Sequence, residues 1–128
     1  HDVTKAYGAY INEGTITLET GTINVSATSE AIGINITSGI ANLGIYDGSG
    51  TDSANVSITN PLIQAVAPNG VGVSMGNGTF NYYDGKIVGS TTARALGDII
   101  SETEKNYQVI TLVDEETTYK YCILEFIK

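Results

Sequence analysis

Gly78-Thr79-Phe80-Asn81-Tyr82-Tyr83-Asp84-Gly85-Lys86-Ile87-Val88-Gly89 is the stretch whose reading decides the fold. It holds two short β-prone segments, Thr79-Phe80-Asn81 and Lys86-Ile87-Val88, separated by an Asp-Gly corner. Glycine supplies the positive φ that a sharp bend needs, and Asp bonds readily to its own backbone nearby. Each segment sets an apolar residue between polar ones, the period-2 pattern of a strand with one buried face.

Looser copies of the first segment recur upstream. Thr15-Ile16-Thr17, Asn35-Ile36-Thr37 and Ser57-Ile58-Thr59 precede Thr79-Phe80-Asn81, and their central residues are 20, 22 and 22 apart. A second column collects Ile23, Leu43, Ile63, Ile87 and Val109. A third gathers Tyr7-Gly8-Ala9-Tyr10, Ala31-Ile32-Gly33-Ile34, Val71-Gly72-Val73 and Ala93-Arg94-Ala95-Leu96. Three short strands per roughly two dozen residues is the periodicity of a triangular β-solenoid. A single such turn cannot bury its apolar edge, whereas stacked turns bury each other's. The expectation is an all-β parallel β-helix of about five rungs of 20–25 residues, spanning residues 7–100 of one 1–128 domain. Outward Thr, Ser and Asn would form ladders between rungs. Corners are expected at Glu19-Thr20-Gly21, Thr37-Ser38-Gly39, Asp47-Gly48-Ser49-Gly50 and Asp84-Gly85. A two-sheet β-sandwich is the alternative, since short alternating strands with Gly turns suit it too.

After Ala95 the glycines thin out and charge rises. Gln108-Val109-Ile110-Thr111-Leu112-Val113 and Thr118-Tyr119-Lys120-Tyr121-Cys122-Ile123-Leu124-Glu125-Phe126-Ile127 flank an acidic turn, Asp114-Glu115-Glu116-Thr117. Residues 107–127 therefore read as an antiparallel hairpin that caps the last rung and covers its unpaired edge. No matching cap precedes Tyr7, so the N-terminal rung is expected to offer strand edges for self-association.

Charge narrows the partners. The 128 residues carry a formal charge of −8, and neither Lys nor Arg occurs between Ala6 and Gly85. Nucleic acid and anionic membrane surfaces both demand a basic stripe, so neither is an expected partner. No apolar run reaches membrane-spanning length, and membrane insertion is not expected. One Cys excludes an intrachain disulfide. A chain that starts at His1 is expected to be a processed or excised piece of a longer protein.

The residues from Gly14-Thr15-Ile16-Thr17 through Gly21-Thr22-Ile23-Asn24-Val25-Ser26 resemble the right-handed parallel β-helix repeats of adhesin-like surface proteins from Firmicutes and other gut bacteria. The more specific part of the likeness is Val56-Ser57-Ile58-Thr59-Asn60-Pro61-Leu62-Ile63-Gln64 followed by the Gly78–Gly89 stretch and the two-stranded tail. That order is similar to the C-terminal end of such a solenoid. The resemblance implies a right-handed coil, an extracellular or cell-surface location, and a structural or adhesive role toward a glycan or a host or cell-surface protein. It implies no catalytic residues.

Chemistry-bearing residues are sparse. His1 is the only histidine, so neither a Ser/His/Asp arrangement nor a multi-His metal site is expected, and no cofactor is. A β-helical polysaccharide lyase or hydrolase is the alternative function, with Asp84 and Arg94 as its suspects. Asp84 also reads as the turn residue before Gly85, and Arg94 as a solvated charge. Asp47 and Asp52 share one Gly-rich loop and are the calcium suspects, although the loop lacks an EF-hand's remaining carboxylates. Alternation sends one of Tyr82 and Tyr83 outward. With Asn81 and Asp84 beside it, that pair is the candidate for stacking a sugar ring. Cys122, mid-strand between Tyr121 and Ile123, reads as core rather than as a reactive thiol.

Overall fold

Alternating Ile, Val and Thr with Gly-bearing corners leaves little for the backbone to do except pair as short strands. A computed structural model of the chain describes residues 4–44, 61–83, 85–94 and 107–126. Among these, twelve strands follow one another: β1 (Lys5–Ile11), β2 (Thr15–Leu18), β3 (Thr22–Ser26), β4 (Glu30–Ile36), β5 (Ile40–Leu43), β6 (Leu62–Val66), β7 (Asn69–Met75), β8 (Thr79–Tyr82), β9 (Lys86–Gly89), β10 (Thr92–Arg94), β11 (Tyr107–Val113) and β12 (Lys120–Phe126). No helix occurs among the described residues.

The strands sort into three sheets, which the chain visits in a fixed order. β1-β4-β7-β10 forms the first sheet and β2-β5-β8 the second, all pairs parallel. β3-β6-β9 forms the parallel part of the third, which β12 and then β11 extend in antiparallel fashion. The circuit is completed three times, and β10 opens a fourth. The core draws on all three sheets, with Ile34, Ile36 and Val73 from the first, Leu43, Phe80 and Tyr82 from the second, and Ile63, Ile87 and Cys122 from the third. Each such side chain contributes about 1.5–3 kcal/mol of burial.

The register corrects two of the three sequence columns. Lys5 pairs with Glu30, a step of 25 residues, but Glu30 pairs with Asn69, a step of 39, and Val71 with Thr92, a step of 21. The middle circuit is long because residues 44–61 separate β5 from β6. In the second sheet Ile16 therefore stacks with Ala41 and Phe80, while Ile36 lies between Ile11 and Met75 in the first. Ile58 is outside the described residues. In the third sheet Ile23, Ile63 and Ile87 do stack, but Leu43 lies between Leu18 and Tyr82, and Val109 pairs with Leu124 across the hairpin.

The third column stands as far as Arg94, with Ala95 and Leu96 outside the described residues, and it explains how two sheets approach each other. Gly8, Gly33 and Gly72 take the same place in β1, β4 and β7, between paired neighbours. A Cβ on Gly33 would run into Ile63 Cγ2 and the Gly72 carbonyl oxygen, and one on Gly72 would lie 2.5 Å from Ile87 Cγ2. The glycine row is thus the slot into which the isoleucine row of the third sheet fits.

Corners follow the glycines. Gly39 before β5 has φ 98° and Gly85 before β9 has φ 94°, values that L side chains rarely adopt. On the outer side polar ladders run from circuit to circuit: Asn42 Nδ2 donates to Thr17 Oγ1 at 3.1 Å, and Asn81 Nδ2 to Asn42 Oδ1 at 2.8 Å. The expected corner at 47–50 lies outside the described residues.

The expected hairpin is present, with all seven residues of β11 paired to β12. Cys122 is buried opposite Ile87. In the turn, Asp114 Oδ1 accepts the Glu116 N–H at 2.8 Å, and the Thr118 N–H donates to the Asp114 carbonyl at 2.8 Å. Closing it puts Thr118 at φ 64°, a left-handed conformation that a β-branched residue tolerates poorly. Thr118→Gly is expected to stabilise the fold by about 1 kcal/mol. In a thermal melt this reads as a rise of about 3–5 °C in Tm. A lower Tm would show that the Thr118 side chain contributes more than its backbone conformation costs.

Candidate functional site

The sugar-stacking pair divides. Tyr82 points inward and is fully buried, its ring 6.2 Å from that of Phe80 between centroids. Its hydroxyl lies 2.8 Å from the Gly85 carbonyl oxygen and 2.9 Å from that of Cys122. A ring so enclosed cannot lie against a ligand. Tyr83 is half-buried, and its backbone N–H donates to the Leu43 carbonyl at 2.8 Å. Asp84, Asp47 and Asp52 lie outside the described residues. Arg94 pairs with Val73 through the backbone of β10, and its side chain is likewise outside the description.

Among the described residues, the aromatic side chains that reach the surface together are Tyr7 and Tyr10, both on β1. Their relative exposures are 39% and 56%, and their rings meet edge to face with centroids 5.1 Å apart at 89°. Local backbone geometry accounts for this. Ala6 and Ala9 pack against the interior clusters and Gly8 faces Ile23 and Val25, so two successive residues, Gly8 and Ala9, turn inward. That break in alternation puts Tyr7 and Tyr10, three residues apart, on the same outer face. The register continues the break through Gly33-Ile34 in β4 and Gly72-Val73 in β7.

The chain matches no family model, no curated protein and no solved structure.

Beside the tyrosines runs a row of polar groups across three strands. Lys5 Nζ lies 3.1 Å from Glu30 Oε1, and Asn69 Nδ2 donates to Glu30 Oε2 at 3.4 Å. Lys5, Glu30 and Asn69 are consecutive partners in the first sheet, which sets their spacing at about 4.8 Å. Lys5 Nζ also stands 5.3 Å from the centre of the Tyr7 ring. The Tyr7 side chain first, and Glu30 second, hold the Lys5 ammonium above its ordinary pKa. The stability this pairing adds is whole below that ordinary value and is lost only as pH rises through the raised one. Being exposed, the pair adds little to the fold.

In the sequence Tyr7 and Tyr10 stand in a column of small and apolar residues, and nothing there singles out Lys5 or Asn69. The signal was available in the Gly-Ala step between the tyrosines, which repeats as Gly-Ile and Gly-Val in the later strands. Among the described residues no group of three or more His, Cys, Asp or Glu is arranged to hold a metal ion. No helix among them is long and apolar enough to cross a membrane.

Proposed function

We propose that this chain is a non-enzymatic, adhesin-like β-helix module of a secreted or cell-surface protein, which presents a sheet face to a glycan or a surface protein. The observation that carries the reading is the threefold circuit through the same three sheets, with polar side chains laddered outside and apolar ones stacked within. Right-handed coiling is part of the proposal, because crossovers between parallel strands are right-handed in the great majority of folds. An array of this kind is a stiff, extensible scaffold whose outer faces display side chains at the strand repeat. The surface location and adhesive role rest on the likeness of the Gly-Thr-Ile-Thr and Gly78–Gly89 stretches to adhesin-like repeats.

Immobilised arrays of glycans and of cell-surface proteins, probed with the purified chain, test the role. Reducing-end and unsaturated-product assays are run on the same glycans. The expected result is saturable binding with no product released. Release of product that disappears in Asp84→Asn or Arg94→Ala would instead establish the carbohydrate-cleaving alternative.

A second copy of the chain is a further proposed partner. β1, β2 and β3 each end their sheet on the same side, and Ile16 on β2 is exposed there. Such edges are templates for strand pairing. Sedimentation velocity is expected to show a concentration-dependent dimer; a single monomeric species at every concentration would remove this partner.

A further inference from the structure

We infer that the outer face of β1 and its neighbours, centred on Tyr7 and Tyr10 and bordered by Lys5, Glu30 and Asn69, is a binding site for a neutral pyranose unit of an oligosaccharide. The inference rests on the reading of the chain as a binding module and names the site and the ligand class.

A pyranose ring offers a face of C–H bonds and a rim of hydroxyls. It is held by a flat aromatic surface together with a fixed set of donors and acceptors. Tyr10, the most exposed of the large apolar side chains among the described residues, provides the surface. Tyr7 meets it at 89°, so the two rings make a corner instead of a flat patch. A corner fixes the direction of a sugar as well as its height above the sheet. Rings of Tyr and Trp are suited to this because they carry a large amphipathic surface on few rotatable bonds.

The polar border has matching chemistry. Lys5 donates, Glu30 accepts and Asn69 does both, in a row one strand apart. Lys5 and Asn69 each have Glu30 as a partner in the row, which holds the side chains in place before a ligand arrives. Preorganisation of this kind lowers the ordering cost of binding. Lys5 and Glu30 cancel locally, while the chain as a whole carries −8. An anionic saccharide would meet a repulsive field, and among the described residues the cation beside the tyrosines, Lys5, is already paired with Glu30, so the neutral class is the one the surface fits.

A protein strand added along the edge of β1 is the competing occupant. It would bind through backbone groups, and an outward ring would matter little to it.

The test is isothermal titration of the wild-type chain and of Tyr10→Ala, Tyr10→Phe and Lys5→Ala with cello-, xylo-, malto- and chito-oligosaccharides and with polygalacturonate. The expected result is binding of at least one neutral series, weakened tenfold or more in Tyr10→Ala, severalfold in Lys5→Ala, and little in Tyr10→Phe. Tyr10 is exposed, so Tm should move little in all three variants, and this is measured alongside. A neutral ligand bound equally by wild type and Tyr10→Ala would overturn the site but leave the module reading standing. Preference for polygalacturonate, or no binding of any neutral series, would overturn the ligand class. Cleavage of the oligosaccharides would overturn the module reading itself.

Discussion

Gly33→Ala is expected to destabilise the fold by about 3 kcal/mol, far more than one methyl group costs at an ordinary strand position. The added carbon would collide with the Gly72 carbonyl oxygen on one side and with Ile63 Cγ2 on the other. An isoleucine can change rotamer, but a backbone carbonyl held between paired neighbours cannot move aside without shifting its strand. Relief therefore requires β4 to move away from both β7 and the third sheet. Gly14→Ala is the control. Nothing lies within 4 Å of a Cβ there, but φ is 92°, so only backbone strain of about 1 kcal/mol is expected. Gly8→Ala should fall between them: its added carbon meets the Gly33 carbonyl oxygen as well as Ile23 and Val25, but it does so from the end strand of the sheet, which has room to shift. Urea denaturation of the three variants checks the order. A loss at Gly33 no larger than that at Gly14 would mean that the neighbours yield to the added carbon and that the close approach of the sheets does not depend on the glycine row.

The same row shows what sequence alone could and could not disclose. Gly8, Gly33 and Gly72 are visible as a column because glycine flanked by apolar residues is uncommon and its spacing can be followed through an insertion. The Thr-Ile-Thr column fails for the opposite reason. Such units look alike wherever they occur, so Asn35-Ile36-Thr37 in the first sheet is indistinguishable from Thr15-Ile16-Thr17 in the second. A constant period then pairs the wrong residues as soon as one circuit lengthens from 25 to 39 residues. Gly21, Gly39 and Gly85 were legible as corners from local chemistry, and all three have positive φ. The hairpin was legible from its acidic turn between two apolar runs.

The candidate site was less legible than the fold. The neighbours of a surface residue on this architecture come from other circuits, at sequence distances set by the connections. Lys5, Glu30 and Asn69 meet only because the register steps are 25 and 39. The tyrosines are a local case, and there strict alternation is a misleading guide. Applied through Gly8-Ala9 it sends Tyr7 and Tyr10 to opposite faces; the inward pair at that step sends them to the same one. Strict alternation does hold at Thr79–Tyr82, which is why Phe80 and Tyr82 are both interior.

Tyr82 accordingly carries the second large effect, on stability and not on binding. Tyr82→Ala is expected to cost about 3–5 kcal/mol, since it empties a fully buried volume beside Phe80 and Leu43. Tyr82→Phe keeps the ring and removes only the hydroxyl, and should cost about 1–2 kcal/mol. The smaller change is the more informative. The hydroxyl reaches the carbonyl of Gly85, at the corner before β9, and that of Cys122, in the middle of β12. It thereby ties the second sheet to the hairpin that covers β9, a link no backbone ladder among the described strands provides. Loss of the link should loosen the hairpin ahead of the remaining strands. The buried Cys122 thiol is the built-in reporter: Tyr82→Phe should react with a thiol reagent several times faster than wild type under native conditions, and equally fast in denaturant. An unchanged native rate, with stability lowered, would place the effect of the hydroxyl in the corner at Gly85 alone. A faster rate would show that the phenol, reaching across from the neighbouring sheet, adds to what the antiparallel ladder and the contact of Lys86 with the Tyr121 ring supply in holding the hairpin.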